Sequence, residues 1–112
     1  MTHHLAVESI KRQYLWIDLH FNSIFAKCAT DAERDGFRRA YVGSRDNLWE
    51  ARSRIFLDHD PATKAVLAEF QANQAQIEAM WEAGSCEGLF ALIATNVSLG
   101  SRLVTTGSAP AV

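Results

Sequence analysis

The residues of this 112-residue chain that could do chemistry are polar side chains placed where helical repeats call for apolar ones. Asn73 and Asn96 interrupt two such repeats, and Ser44 or Asn47 holds a similar position earlier in the chain. Tyr14 and Asp18 lie at the corresponding height of the first predicted helix. A polar layer is costly to bury unless its members satisfy one another or a ligand. Two interpretations remain open: a hydrogen-bonded layer that sets the register of the helices, or a small-molecule pocket lined by Tyr14, Asp18, Asn47, Asn73 and Asn96.

Candidate metal ligands occur near two predicted helix starts. His3, His4 and Glu8 begin the first helix, and the sequence Asp-His-Asp at residues 58–60 precedes the third. Imidazole and carboxylate groups bind divalent metals. However, no His-x-x-x-His or Glu-x-x-His pair places two of these ligands on one helix face, and Asp60 is well suited to capping the third helix. We therefore predict no metal site.

The nucleophiles show no catalytic pattern. Cys28 and Cys86 are not arranged as a CxxC pair, and with no export signal they are expected to be free thiols. His20 lacks the following lysine that phosphotransfer bundles carry. No glycine-rich phosphate loop, nucleophile elbow or pair of carboxylates on one face is present. The sequence therefore predicts a protein that is not an enzyme and needs no cofactor.

Charge and hydropathy exclude two further classes. The formal net charge is −2, and acidic and basic residues alternate through residues 31–60, so no basic face for nucleic acid is predicted. The chain shows neither a signal-peptide core nor an uninterrupted apolar run of about 18 residues. Residues 88–104 come closest to such a run, but Asn96 and Arg102 interrupt it. We expect a cytoplasmic protein that does not bind membranes.

The positions of capping residues predict four helices. The first runs from Thr2 to Ala29, and Thr30 with Glu33 forms a capping box that begins a second helix ending near Leu57. The weak point of that helix is Gly43, where a bend or the close approach of a neighbouring helix is expected. Pro61 begins a third helix that ends near residue 83. The fourth is expected over residues 86–105, before a flexible tail at 106–112.

Short connections between long helices favour antiparallel packing. The sequence therefore predicts an all-α, single-domain, up-down-up-down antiparallel four-helix bundle spanning residues 1–105.

Large apolar residues exceed what one core-facing stripe per helix accommodates. Val42, Trp49 and Phe56 form a second row with a spacing of seven, and the fourth helix is apolar on all sides. Apolar surface that exceeds the needs of a core marks an interaction site. We predict a homodimer formed through the fourth helix and the outer stripe of another helix, with a second protein as a possible partner. The interface residues would be Trp16, Leu19, Val42, Trp49, Phe56, Phe90, Leu92, Leu99 and Leu103.

The predicted function is a non-catalytic helical protein–protein interaction module, such as a homodimeric regulator, an adaptor or an immunity-like protein. The alternative is a small-molecule-binding bundle that uses the mid-bundle polar pocket.

Overall fold

Four α-helices and one pair of short strands make up the described part of the protein. The computed structural model describes residues 2–56, 61–106 and 108–110, with side chains for residues 5–56 and 61–106. The predicted all-helical bundle is confirmed as the fold class. The helices are α1 (Thr2–Lys27), α2 (Asp31–Arg52), α3 (Pro61–Glu82) and α4 (Leu89–Thr106), and the strands are β1 (Arg54–Phe56) and β2 (Ser108–Pro110).

The junction between α1 and α2 is the predicted capping box. The Glu33 amide donates to Thr30 Oγ1 at 3.1 Å, and the Thr30 amide donates to Glu33 Oε1 at 3.2 Å. The Ala29 amide donates to the same carboxylate oxygen at 2.8 Å. Two backbone amides that the helix start would leave unpaired, and the amide of the residue before the cap, are therefore satisfied, and the chain reverses direction within a few residues.

Replacing Thr30 with alanine is expected to lower the free energy of unfolding by about 1 kcal/mol, because the Glu33 amide loses its acceptor. Urea denaturation at a fixed protein concentration measures the change, and Thr30→Ser, which keeps the hydroxyl, should stay close to the parent. An unchanged midpoint for Thr30→Ala at an unchanged slope would show that the box contributes nothing.

The end of α2 differs from the prediction. The helix ends at Arg52 rather than near Leu57, and residues 54–56 form β1, which pairs antiparallel with β2. In β1 the side chains alternate, so that Ile55 is exposed and Phe56 is buried. Ser108–Pro110, within the segment expected to be a flexible tail, supplies the partner strand. A contact across half the chain therefore decides the backbone conformation here.

The turn after α3 shows how glycine ends a helix. Gly84 has φ +73°, its amide donates to the Trp81 carbonyl at 3.0 Å, and the Ser85 amide donates to the Met80 carbonyl at 2.9 Å. These two bonds define a Schellman motif, whose left-handed position favours a residue without a Cβ. The α3 boundary agrees with the prediction, whereas α4 begins at Leu89 rather than near Cys86.

The helices pack around the bundle in the order α1, α2, α4, α3. The extensive interfaces are α1–α2, α2–α4 and α3–α4, and the α1–α3 interface is slighter. Consecutive helices run in opposite directions, so the neighbours α2 and α4 run parallel. Phe37 packs against Phe90, and further along both helices Asn47 donates a hydrogen bond to the Val97 carbonyl. The consecutive pair α2 and α3 therefore lies across a diagonal.

Close approach of α2 and α4 depends on Gly43. A Cβ at this position would lie 2.9 Å from Val97 Cγ1. The helix continues through Gly43 without interruption, so of the two expectations for this residue the structure shows the close approach.

Candidate interaction surface and polar centre

The predicted interface residues separate into three groups by exposure. Leu19 and Trp49 expose 78% and 66% of their surface, and Val42 exposes 41%. Trp16, Phe90 and Leu92 are half-buried and pack against the core cluster near the α1–α2 turn. Phe56, Leu99 and Leu103 are buried in the core of the chain itself.

The assignment of Phe56, Leu99 and Leu103 to an interface is therefore wrong, because their apolar surface is already covered by other parts of the same chain. The large side chains of α4 enter its contacts with α2 and α3. Its outer side carries small and polar residues: Ala91, Ala94, Thr95, Ser98, Ser101, Arg102 and Thr105 are exposed.

The low charge of α4 thus reflects a buried face and small outer residues. Residues 89–106 have the length and mean hydropathy, 1.2, of a candidate membrane span, but 44% of this helix is buried inside the bundle.

The largest group of exposed apolar residues lies on the neighbouring helices α1 and α2. Leu15, half exposed, joins Leu19, Val42 and Trp49. Tyr14 stacks on Tyr41 with ring centroids 5.7 Å apart, and this antiparallel register places Leu15 and Val42 within one helical turn of each other in height. We call the surface formed by Leu15, Leu19, Val42 and Trp49 the α1/α2 face.

A hydrogen-bond chain links the two helices beside this face. Tyr41 Oη donates to Asp18 Oδ1 at 2.7 Å and lies 3.4 Å from Tyr14 Oη. The bonds to Tyr14 and Asp18 raise the pKa of Tyr41 well above its usual value. The chain of bonds therefore joins α1 to α2 through the side chains of Tyr14, Asp18 and Tyr41.

Arginine and tryptophan line the α2 side of the face. The Arg52 guanidinium lies 5.9 Å from the centre of the Trp49 ring, and the Arg38 guanidinium lies 4.8 Å from that of Phe25. α2 contains Arg34, Arg38, Arg39, Arg45 and Arg52 but no lysine. Arginine and tryptophan are the residue types enriched in protein interfaces, where lysine is depleted.

The centre of the bundle contains part of the predicted polar layer. Asn47 Nδ2 donates to the Val97 carbonyl at 3.0 Å, and Ser101 Oγ donates to Asn47 Oδ1 at 3.0 Å. Asn96 Nδ2 donates to the Phe70 carbonyl at 3.1 Å. Both asparagines are buried and fasten α4 to a neighbouring helix.

The five predicted pocket residues do not come together. Tyr14 is half-buried at the contact between α1 and α2, Asp18 is exposed beside it, and Asn73 is half-buried on α3, while Asn47 and Asn96 are in the interior. On α3 the buried polar residue is Gln74, one position after Asn73. The buried residues of α3 are Thr63, Leu67, Phe70, Gln74 and Ile77, so the inward polar position of this helix is Gln74 and not the predicted Asn73.

Gln13 is the central residue that the sequence analysis missed. It is fully buried, and the described residues offer no partner to either polar atom of its amide. Its position three residues after Ile10 and four before Ile17 places it on the core-facing stripe of α1. That spacing was the signal that could have identified it.

The remaining candidate residues have structural surroundings. His20 packs against Trp16 at 4.6 Å and Trp81 at 6.0 Å between ring centroids, and its Nδ1 lies 3.0 Å from the Trp16 carbonyl oxygen. Cys28 and Cys86 are free, and burial raises the pKa of the Cys28 thiol, which makes it less nucleophilic.

The candidate metal ligands cannot be placed together. Among residues 5–56 and 61–106, no group of three or more histidine, cysteine or carboxylate residues is arranged to bind a metal ion. The His3 and His4 side chains and residues 58–60 lie outside the described residues.

Comparison with protein-family models, curated proteins and solved structures found no match for this chain.

Proposed function

We propose that the protein is a non-catalytic helical interaction module that forms a homodimer through the α1/α2 face. The observation that carries this proposal is the exposure of Leu15, Leu19, Val42 and Trp49 on two neighbouring helices. Large apolar side chains grouped on the surface of a small domain are typical of an interaction site.

The size of the face fits a dimer. α1 and α2 contain 26 and 22 residues, so they are about 39 and 33 Å long at 1.5 Å per residue. With helix axes about 10 Å apart, the two helices present a surface on the order of 700 Å². A standard interface takes about 800 Å² from each partner. The outer sides of the two helices, of which the α1/α2 face is the apolar part, therefore approach the area that a specific dimer needs.

A second copy of the chain matches the layout of the face. A two-fold dimer brings the same patch of each subunit together, so the patch must complement itself. Leu15 and Val42 lie within one helical turn of each other in height, so a two-fold axis near them would place apolar residues against apolar residues. Charged residues of both signs surround the patch, with Asp18 on α1 and Arg45 and Arg52 on α2. Regulators and adaptors act through surfaces of this kind, and we propose such a role in the cytoplasm.

Sedimentation equilibrium at micromolar concentration tests the proposal, with a dimer mass expected for the parent protein. Leu19→Glu and Trp49→Glu each place a charge in the seam and are expected to weaken dimerisation at least tenfold, because a carboxylate that loses its hydration without gaining a partner opposes association. Gln76→Glu, on the exposed side of α3, is the matched control and should leave the dimer intact.

Circular dichroism of each variant separates dissociation from unfolding, since both seam residues are exposed and their replacement should preserve the helices. A parent protein that is monomeric over the whole concentration range would refute the homodimer and leave a different protein as the occupant of the face. A dimer unaffected by both substitutions would place the interface elsewhere.

A further inference from the structure

The four helices form two helical hairpins that meet unequally. α1 and α2 make one hairpin, α3 and α4 make the other, and the helices of each pair share an extensive interface. The hairpins meet through α2 and α4, which are in extensive contact, and through α1 and α3, whose interface is the slightest of the four described above. One side of the bundle is therefore held more firmly than the other.

The contact between α2 and α4 is the firm side. A Cβ at Gly43 would lie 2.9 Å from Val97 Cγ1, so the two helices approach closely. Asn47 Nδ2 donates to the Val97 carbonyl at 3.0 Å, and Ser101 Oγ donates to Asn47 Oδ1 at 3.0 Å. The strands that follow these two helices, β1 and β2, also pair with each other. Close packing, side-chain bonds and strand pairing thus keep α2 and α4 together.

Polar side chains near the surface bridge α1 and α3. Arg12 donates to Glu78 through Nε at 2.8 Å and through Nη2 at 2.7 Å, and Gln71 Nε2 donates to Ser9 Oγ at 3.0 Å. The Arg12 side chain is 61% exposed. The hydrogen bond from Arg12 lowers the pKa of Glu78, which keeps the carboxylate ionised at neutral pH. An ion pair that reaches the surface contributes little to stability, because water and salt compete with it.

Amide groups inside the bundle would gain from contact with water. Gln13 and Asn96 are fully buried, and Gln13 Oε1, Gln13 Nε2 and Asn96 Oδ1 have no hydrogen-bond partner among the described residues. Leaving a buried donor or acceptor unpaired costs more than forming a hydrogen bond gains, and a water molecule that reaches these atoms removes that cost. Gln13 adjoins Arg12 in α1. The closed bundle therefore carries a penalty that separation of α1 from α3 relieves.

Apolar packing acts in the opposite direction. Ile10 of α1 and Phe70 of α3 are fully buried in one core cluster, and the rings of His20 and Trp81 lie 6.0 Å apart across the two helices. Burial of these side chains makes the closed arrangement the more populated one. An open arrangement is therefore a minor state, which a protein reaches by local rather than global disruption.

We propose that the two hairpins open transiently along α1 and α3, with the α2–α4 contact as the hinge and the Arg12–Glu78 ion pair as the latch. Opening lets water reach Gln13 and Asn96 while all four helices stay formed. An anion that competes for Arg12 releases the latch, so the ionic surroundings control the population of the open state. The α1/α2 face lies within one hairpin, and the motion is separate from dimerisation.

The side-chain amide of Gln13 reports on opening. Its nitrogen has no partner among the described residues, so exchange of its protons with water is limited by access and not by the breaking of a bond. The side-chain amide of Asn47, buried at the hinge and bonded to the Val97 carbonyl, is the internal reference. NMR of ¹⁵N-labelled protein at fixed pH measures both rates. Gln13 should exchange at least tenfold faster than Asn47, and equal rates would overturn the proposal.

Arg12→Met removes the latch while keeping a long side chain. It is expected to accelerate Gln13 exchange about threefold to fivefold, the effect of losing an exposed ion pair with two hydrogen bonds, and to leave Asn47 exchange unchanged. Arg38→Met is the matched control, because Arg38 forms a similarly exposed ion pair with Asp35 inside α2. A Gln13 rate that Arg12→Met leaves unchanged, or that Arg38→Met raises equally, would show that no latch governs access.

Salt gives an independent check. Raising sodium chloride from about 0.05 M to about 0.5 M screens the ion pair, so Gln13 exchange should accelerate in the parent protein. Arg12→Met has no latch left to screen, and its Gln13 rate should stay constant over the same range. An equal response of the two proteins to salt would contradict the role given to Arg12.

The same measurement on Leu19→Glu keeps the two proposals distinguishable. Gln13 in this variant should exchange at the parent rate and respond to salt like the parent, whatever the oligomeric state. A Gln13 rate that follows dissociation of a dimer instead would tie access to the α1/α2 face and overturn the latch.

Discussion

Leu103→Glu is expected to unfold the protein at neutral pH. Leu103 is fully buried within the core cluster that includes Ile10, Phe70 and Val104. Burying an unpaired carboxylate costs several kcal/mol, which is a large part of the 5–15 kcal/mol that stabilises a typical domain. Leu99, in the same cluster, should respond in the same way.

The instability of Leu103→Glu should depend on pH in a defined direction. Burial disfavours the charged form and raises the pKa of the introduced carboxyl above the value of about 4.3 that it has in the unfolded chain. Below that value the carboxyl is neutral in both states and ionisation adds no penalty. Above the folded-state pKa the penalty is complete, so destabilisation relative to the parent grows as pH rises.

Urea denaturation monitored by circular dichroism at about pH 4 and about pH 7 checks this result. Leu19→Glu introduces the same group at an exposed position and should stay folded at both values. If Leu103→Glu were as stable as Leu19→Glu at neutral pH, Leu103 would not occupy the core.

Phe70→Ala is expected to lower the free energy of unfolding by about 3–5 kcal/mol, the range for removing a fully buried aromatic side chain. Phe70 is fully buried, and its ring packs against Gly100 where α3 meets α4. A glycine cannot extend a side chain into the space that the ring leaves, so the cavity persists and adds to the loss of apolar burial.

Phe25→Ala is the matched control, because Phe25 is half-buried near the end of α1. This substitution should lower the free energy of unfolding by less than half as much as Phe70→Ala. Chemical denaturation of both variants at one protein concentration gives the comparison. Equal losses for the two phenylalanines would contradict the central position of Phe70.

The helix boundaries that could be predicted from sequence are those set by local chemistry. Thr30 and Glu33 cap α2 through bonds that span three residues, Pro61 begins α3, and Gly84 ends it through a left-handed turn. Each of these signals acts within about one helical turn, so it is complete in the sequence and does not depend on where the rest of the chain goes.

The end of α2 could not be predicted in this way. Ile55 and Phe56 fit the apolar repeat of a longer helix, yet they lie in β1 because Ser108–Pro110 pairs with that strand. The partner strand is more than fifty residues away in the sequence, and only the packing of α4 against the other helices brings it there.

The sequence by itself determined four helices, their caps and an excess of large apolar residues, since these follow from residue type and local spacing. Only the tertiary structure decided which of those residues are surface and which are core. The packing order α1, α2, α4, α3 surrounds the apolar side chains of α4, and it leaves Leu19 and Trp49 outside while enclosing Gln13. A helical repeat specifies which residues share a face, but a face becomes buried only when a neighbouring helix covers it, and the choice of neighbour is a property of the whole chain.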